Sequence, residues 1–264
     1  MNAGIVFPDI DPIIFSIGPF AIRWYALSYI AGLLIGIKYL ASFVSKPPNA
    51  MNKGETDDFL IWLTLGVIFG GRLGYVLFYN FDFYLMNPLS IIKIWEGGMS
   101  FHGGLTGVIL AIIIFCRRRG LNVWLVGDAV ACASPIGLFF GRIANFINGE
   151  LYGRASDVSW SVIFPRGGPI SRHPSQIYEA LLEGLVLFCV LFFLSNRYSL
   201  RNKPGFLAGV FLIGYAVSRS FAEIYREPDG HIGYFWNIIT MGQLLSIPLF
   251  VFGTYLLIRK KSSN

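Results

Sequence analysis

The sequence predicts an all-α polytopic membrane protein with seven transmembrane helices, and three observations carry that prediction. The chain of 264 residues is 55% hydrophobic and only 14% charged, with a mean hydropathy of +0.60. A soluble domain carries about a quarter charged residues, and disorder needs low hydrophobicity, so both classes are set aside. The apolar residues gather in runs of bilayer-crossing length rather than alternating in short segments as in a β-barrel. The basic residues sit in short clusters between those runs, the pattern that sets membrane topology, so the net charge of +6 is not read as a nucleic-acid footprint.

In chain order the runs fall at about 19–43, 58–79, 101–116, 123–148, 177–195, 205–225 and 235–258. With no water to satisfy exposed peptide groups, each is expected to be a helix. The third is short and begins Gly-rich. Residues 1–18 contain no Lys or Arg, so no cleavable signal peptide is expected. Cys116, Cys132 and Cys189 all fall inside apolar runs, which fits packing rather than a disulfide framework. No linker marks a second independent domain, so residues 1–264 are expected to form one integral membrane domain.

Orientation follows from the basic residues. One set of loops holds Lys46, Lys53, Arg117, Arg118, Arg119, Arg197, Arg201, Lys203, Arg259, Lys260 and Lys261. The opposite, longer loops hold fewer: Arg23, Lys93, Arg154, Arg166, Arg172 and Arg226. The positive-inside rule then places the C-terminus in the cytoplasm and the N-terminus outside. The long loops at 80–100 and 149–176 face outward, and the second forms a small extramembrane head.

Lys38, Arg72, Arg142 and Arg219 remain within the runs. Lys38 lies near a cytoplasmic end and can snorkel. The arginines are a different matter, because an ionisable group inside a span marks a functional site by default. At a rise of ~1.5 Å per residue, Arg142 and Arg219 lie about 9 Å from the outer ends of their helices and Arg72 about 10 Å. His102, Tyr25 and Glu179 lie near outer ends as well, so most of the suspect polar groups share one layer. Asp128, at an inner end, is the exception and reads as structural. Tyr215, Arg219, Glu223 and Arg226 fall on one arc of the sixth helix, and Arg142, Asn145 and Asn148 step along one side of the fourth. Arg219 and Glu223 alone can be an ion pair four residues apart. That pair leaves Arg72 and Arg142 short of acids, with Glu96, Glu150, Glu179 and Glu223 as the available carboxylates. The surplus of arginine points to an anionic phosphate, which at this depth is a phospholipid headgroup. Gly103 and Gly104 after His102 allow close backbone approach, either to a ligand or to another helix, and His102 itself is either structural or a proton acceptor or hydrogen-bond partner. No phosphate-binding loop, zinc motif or serine-hydrolase elbow occurs, and no cofactor or metal is expected.

Several segments resemble those of the prolipoprotein diacylglyceryl transferases. They are the stretch from Gly141 to Arg154, Gly71-Arg72-Leu73-Gly74-Tyr75, Trp95 to Gly104 and Arg172 to Glu179, with Arg23-Trp24-Tyr25 near the start and Arg226-Glu227-Pro228-Asp229 near the end. They occur in family order across most of the chain, although Ala144 stands where the family often has glycine. The resemblance implies a bacterial inner-membrane enzyme with a small periplasmic head at 149–176. It implies transfer of a diacylglyceryl group from phosphatidylglycerol to the lipobox cysteine of a prolipoprotein signal peptide, with glycerol 1-phosphate leaving. It places catalytic roles on His102, Arg142 and Arg219. It places phosphatidylglycerol binding on Arg142, Asn145, Tyr25, Tyr215, Glu150, Gly153 and Glu223, to which the residue-level reading adds Arg72. An anion transporter and a lipid-binding scaffold without turnover are the rival readings. Polar groups confined to one leaflet and the absence of visible inverted repeats argue against a transporter.

Overall fold

The structure is a computed structural model that describes residues 4–8, 13–17, 20–227, 234–235 and 239–259. Pro228, Asp229, Lys260 and Lys261 lie outside the described residues. The apolar runs lie on helices α1 (Trp24–Val44), α2 (Lys53–Phe78), α3 (Phe101–Arg119), α4 (Val123–Ile147), α5 (Ser175–Ser195), α6 (Phe206–Ala222) and α7 (Met241–Ile258). Five of these (α1, α2, α4, α5 and α7) are long and apolar enough to cross a membrane, whereas α6 is a shorter apolar helix. The protein is therefore a mostly helical, multi-pass membrane protein.

It is not all-α. Strands β2 (Ile13–Ile17) and β3 (Phe20–Arg23) form an antiparallel hairpin, so α1 starts later than its apolar run. β1 (Ile5–Val6) pairs in parallel with β4 (Val162–Ile163), which pairs antiparallel with β5 (Ser171–Arg172). β6 (Tyr234–Phe235) and β7 (Ile239–Thr240) make a last antiparallel pair just before α7.

The helix ends have local causes. α2 begins five residues before its run because Asn52 and Glu55 form a reciprocal capping box. Thr240 and Gln243 do the same for α7. Gly120 closes α3 in the left-handed conformation that glycine adopts freely. Within α5, residues Ala180–Val186 wind as a π-helix, a local widening found mostly at functional sites.

The described chain divides into two compact units, residues 41–127 and residues 1–40 with 128–264. In the first, α2 and α3 meet along glycines. A Cβ at Gly70 would stand 2.4 Å from the Gly103 carbonyl oxygen, and one at Gly107 would stand 2.0 Å from that of Gly66. Small residues at such spacing let helix backbones touch, and packing of this kind drives helix association in membranes. Of the two uses foreseen for the glycines after His102, Gly103 therefore serves the close approach of another helix.

In the second unit, Phe7, Val162 and Phe164 form a small buried core with Phe146 and Tyr152 against it. This ties the 149–176 segment to the C-terminal end of α4. At the other end of α4, the buried Asp128 accepts hydrogen bonds from the backbone amides of Gly205 (2.8 Å) and Ala208 (2.7 Å). A carboxylate from one helix thus caps the N-terminus of α6 and satisfies two of its unpaired donors, which matches its reading as structural.

Candidate active site

The fourth, fifth and sixth apolar helices each bring charge to one place. α4 supplies Arg142, α5 supplies Glu179 and Glu183 one turn apart, and α6 with the turn after it supplies Arg219, Glu223 and Arg226. Glu179 and Glu183 are fully buried. Glu179 pairs with Arg142 at 3.2 Å through one oxygen and with Arg219 through the other. Glu183 reaches the same two arginines at 3.5 and 3.8 Å. The result is a ring of alternating charge, Arg142–Glu179–Arg219–Glu183. Glu223 extends it, pairing with Arg219 and, at 3.4 Å, with Arg226. Gly242, at the start of α7, leaves room for the Glu223 carboxylate, since a Cβ there would lie 2.3 Å from its oxygen. Tyr215, one turn before Arg219, lies in the electrostatic field of Glu183, Arg219, Arg142 and Glu179.

This geometry corrects one step of the sequence argument. Arg142 is not short of acids, because Glu183, hidden in the run Ala180 to Val186, supplies one. Within the ring and its extension, three arginines balance three glutamates. The arginines are held in place rather than left as loose cations, and burying such charges requires that pairing.

A second cluster adjoins the C-terminal end of α4. Asn145 donates to the Glu150 carboxylate at 2.9 Å and Asn148 to the same oxygen at 3.4 Å. The carboxylate acts electrostatically on Tyr25, whose hydroxyl donates to that of Tyr29 at 3.2 Å. The side run Arg142, Asn145, Asn148 is therefore split, with its arginine serving the ring and its asparagines serving Glu150. The Glu150 carbonyl accepts from Gln176, and that of Leu151 accepts from Ser175. Leu151 holds φ +55°, a conformation that bulky residues adopt only where surroundings impose it. Gly153 contributes by having no side chain. Its amide donates to His173, it bridges Arg226, and a Cβ would stand 2.4 Å from the Tyr225 carbonyl oxygen. His173, in the loop before α5, packs edge-on against Tyr225 and shares a hydrogen bond of 3.0 Å with the Tyr178 hydroxyl. Burial lowers its pKa below the usual histidine value.

Arg72 and His102 belong to the unit of residues 41–127. Arg72, expected in the lipid-binding set, is surrounded by backbone carbonyls. Its Nε donates to Ile91, one terminal nitrogen to Gly97 and Gly98, and the other to Ser90 and Lys93, all backbone carbonyls. A guanidinium has five N–H groups, and five carbonyls take them. Tyr84 lies 5.2 Å from the guanidinium carbon. Arg72 thus organises the 88–98 loop. His102 is exposed in the first turn of α3, which Ser100 caps by accepting from the Gly103 amide. Among the described residues, no group of three or more His, Cys, Asp or Glu is placed to hold a metal ion.

Fold and site together define a polytopic helical membrane protein with a ring of arginine and glutamate buried among its helices. The chain belongs to the prolipoprotein diacylglyceryl transferase family, whose model matches residues 12–259. It is 59% identical over 258 residues to a phosphatidylglycerol–prolipoprotein diacylglyceryl transferase of Paramagnetospirillum magneticum, covering 97% of this chain and 96% of that one. Over 256 residues it is 58% identical to the protein of that name from Rhodospirillum rubrum, covering 96% and 93%. Over 254 residues it is 55% identical to that from Azospirillum brasilense, covering 96% and 95%.

Proposed function

We infer that this chain transfers the diacylglyceryl group of phosphatidylglycerol to the lipobox cysteine thiol of a prolipoprotein. The step forms a thioether, releases glycerol 1-phosphate and opens the maturation of bacterial lipoproteins. The observation that carries the reading at the level of chemistry is the buried ring of Arg142 and Arg219. Guanidiniums fixed in advance by carboxylates stabilise charge that grows on a leaving phosphate ester without reorganising during the reaction. Arg142 and Arg219 hold the phosphate, while Glu150 and Glu223 position the side chains beside them. Asn145, Tyr25 and Tyr215 orient the headgroup, and Gly153 keeps the backbone around them closed. The nucleophile arrives on the substrate, as a thiol that must become a thiolate to attack. His102 is the proposed acceptor of that proton.

Both substrates are membrane-anchored, so the enzyme works in the bacterial inner membrane. Seven spans with a periplasmic N-terminus, a cytoplasmic C-terminus and a periplasmic head at 149–176 fit the distribution of Lys and Arg. The whole chain acts as one membrane domain in this reading.

The test is a mass-shift assay. Purified protein is mixed with phosphatidylglycerol and a lipobox peptide, beside a control peptide with serine in place of cysteine. The expected result is a gain of one diacylglyceryl group on the cysteine peptide alone, with glycerol phosphate released. Lipid binding without a mass gain would make the protein a scaffold and end the reading. The role of His102 fails separately if His102→Gln keeps normal turnover and an unshifted pH–rate profile.

A further inference from the structure

Glu183 is the acid that the mechanism above leaves without a task. It is fully buried, and it is the most loosely held of the three glutamates in the cluster. Its two ion pairs are long, at 3.5 and 3.8 Å, and its Oε1 has no hydrogen-bond partner. It sits in the π-helical turn of α5. The charged and titratable groups around it are Arg142 from α4, Glu179 from its own helix, and Tyr215 and Arg219 from α6. Tyr39 of α1 packs against Phe188, beyond Glu183 toward the other end of α5.

The ring poses an electrostatic problem that the proposed function does not resolve. In the ring itself two arginines face two glutamates, Glu223 answers Arg226, and Arg154 lies outside the ring on the backbone carbonyls of Arg226 and Glu223. A phosphodiester carries one negative charge. Entering between Arg142 and Arg219, it meets a ring whose own charges already cancel, and it adds a charge in a poorly solvated place, which is costly. One proton on a ring carboxylate removes that charge. Glu179 Oε2 and Glu183 Oε1 both lack a hydrogen-bond partner, but Glu179 Oε2 lies 3.2 Å from Arg142 whereas Glu183 Oε1 has Arg219 only at 3.8 Å, so Glu183 is the carboxylate more easily protonated.

We propose that phosphodiester binding at this site is coupled to uptake of one proton by Glu183, which makes Glu183 a positioning residue acting through Arg142 and Arg219. This rests on the reading that the two arginines hold the lipid phosphate. The proton comes from solvent as the lipid headgroup binds, lies on a Glu183 carboxylate oxygen while the phosphodiester occupies the site, and returns to solvent when the site empties. No bond of the lipid is made or broken in this step.

The test measures binding of phosphatidylglycerol, titrated into phosphatidylcholine nanodiscs that hold the protein, from mildly acidic to mildly alkaline pH. In the unaltered protein the affinity is expected to fall with rising pH, approaching about tenfold per unit where the free ring loses its proton. Glu183→Gln, neutral and of the same shape, is expected to bind with a flat pH dependence and more tightly than the parent at the alkaline end. Glu179→Gln is expected to keep a slope. A Glu183→Gln protein with the parental slope, or with weaker alkaline binding than the parent, overturns the proposal. As a check free of folding effects, calorimetry on the unaltered protein in two buffers of different ionisation enthalpy is expected to show close to one proton taken up per lipid bound. Zero uptake overturns it. The mass-shift assay runs alongside. Product without proton uptake removes this inference and leaves the transfer reaction standing, while uptake without product does the reverse.

Discussion

Arg72 and Arg219 are both arginines buried within helices of a membrane protein, and they are neutralised in opposite ways. Arg72 sits among five backbone carbonyls of the 88–98 loop. Arg219 sits among the carboxylates of Glu179, Glu183 and Glu223. Carbonyl dipoles neither titrate nor leave, so the surroundings of Arg72 are fixed once the loop is folded. Carboxylates can take up protons, and their charge can be replaced by that of an incoming anion. The same residue type in the same solvent therefore organises a loop in one place and joins a cluster of titratable groups, the proposed anion site, in the other. What distinguishes the two is the chemistry of the acceptors.

The comparison is sharpest under deletion of each side chain. Arg219→Ala leaves three buried glutamates facing Arg142 and Arg226. Removing one partner of a buried ion pair costs about 3–5 kcal/mol, and loss of a donor to the leaving group lowers kcat by about 10²–10³-fold. Thermal unfolding in detergent together with the mass-shift assay checks both. A stable, active Arg219→Ala protein would show that the ring is neither a structural nor a catalytic necessity. Arg72→Ala is expected to show a different pattern. Orphaned carbonyls cost about 1–3 kcal/mol each where they stay buried, and the loss should appear first as faster hydrogen exchange across residues 88–98. Exchange unchanged there would break the contrast.

A smaller effect is expected at the α2–α3 seam. Gly107→Val forces a Cβ toward the Gly66 carbonyl, and overpacking of this kind costs about 1–3 kcal/mol. A lowered unfolding temperature checks it, and an unchanged one would mean that the two helices part easily. The smallest effect is the pH response of the His173 loop. Burial lowers the His173 pKa in the folded protein. Its neutral form is therefore the stabilising one, fully present above about pH 6.5. The contribution is lost as pH falls from there through the lower folded value. Exchange in residues 150–174 should rise on acidification and lose that rise in His173→Gln.

Much of this architecture was legible because lipid imposes simple rules. Apolar runs had to be helices, and a charge inside a run had to have a reason. Arg142 and Arg219 were visible on that ground alone. Glu183 was not, because a single acid in the apolar stretch from Ala180 to Val186 hardly disturbs a hydropathy reading. Its spacing of four from Glu179 was the available signal, since it sets two acids on one face of a span. The π-helical turn carries no local sequence mark. The early start of α2 was readable from Asn52 and Glu55, but the polar first turn weighs against an apolar criterion. The carbonyl cage of Arg72 depends on a loop folding back on its helix, and no periodicity reveals that. For Gly103, the sequence offered two explanations, and only the position of Gly70 chooses between them.

The cap that Asp128 places on α6 has a mechanical consequence. Asp128 lies at the start of α4, and Arg142 lies toward the other end. The helix it grips, α6, carries Arg219 near its own far end. Sliding one helix along the other would break both bonds to the Asp128 carboxylate, whereas a change of crossing angle about that point would preserve them. The Asp128 cap pins the pair at one end, and at the other Glu179 pairs with both guanidiniums. Pro135 lies between the pin and Arg142, where a missing backbone hydrogen bond lets a helix bend. A bend there moves Arg142 only together with Glu179, so the spacing of the two arginines is held at both ends.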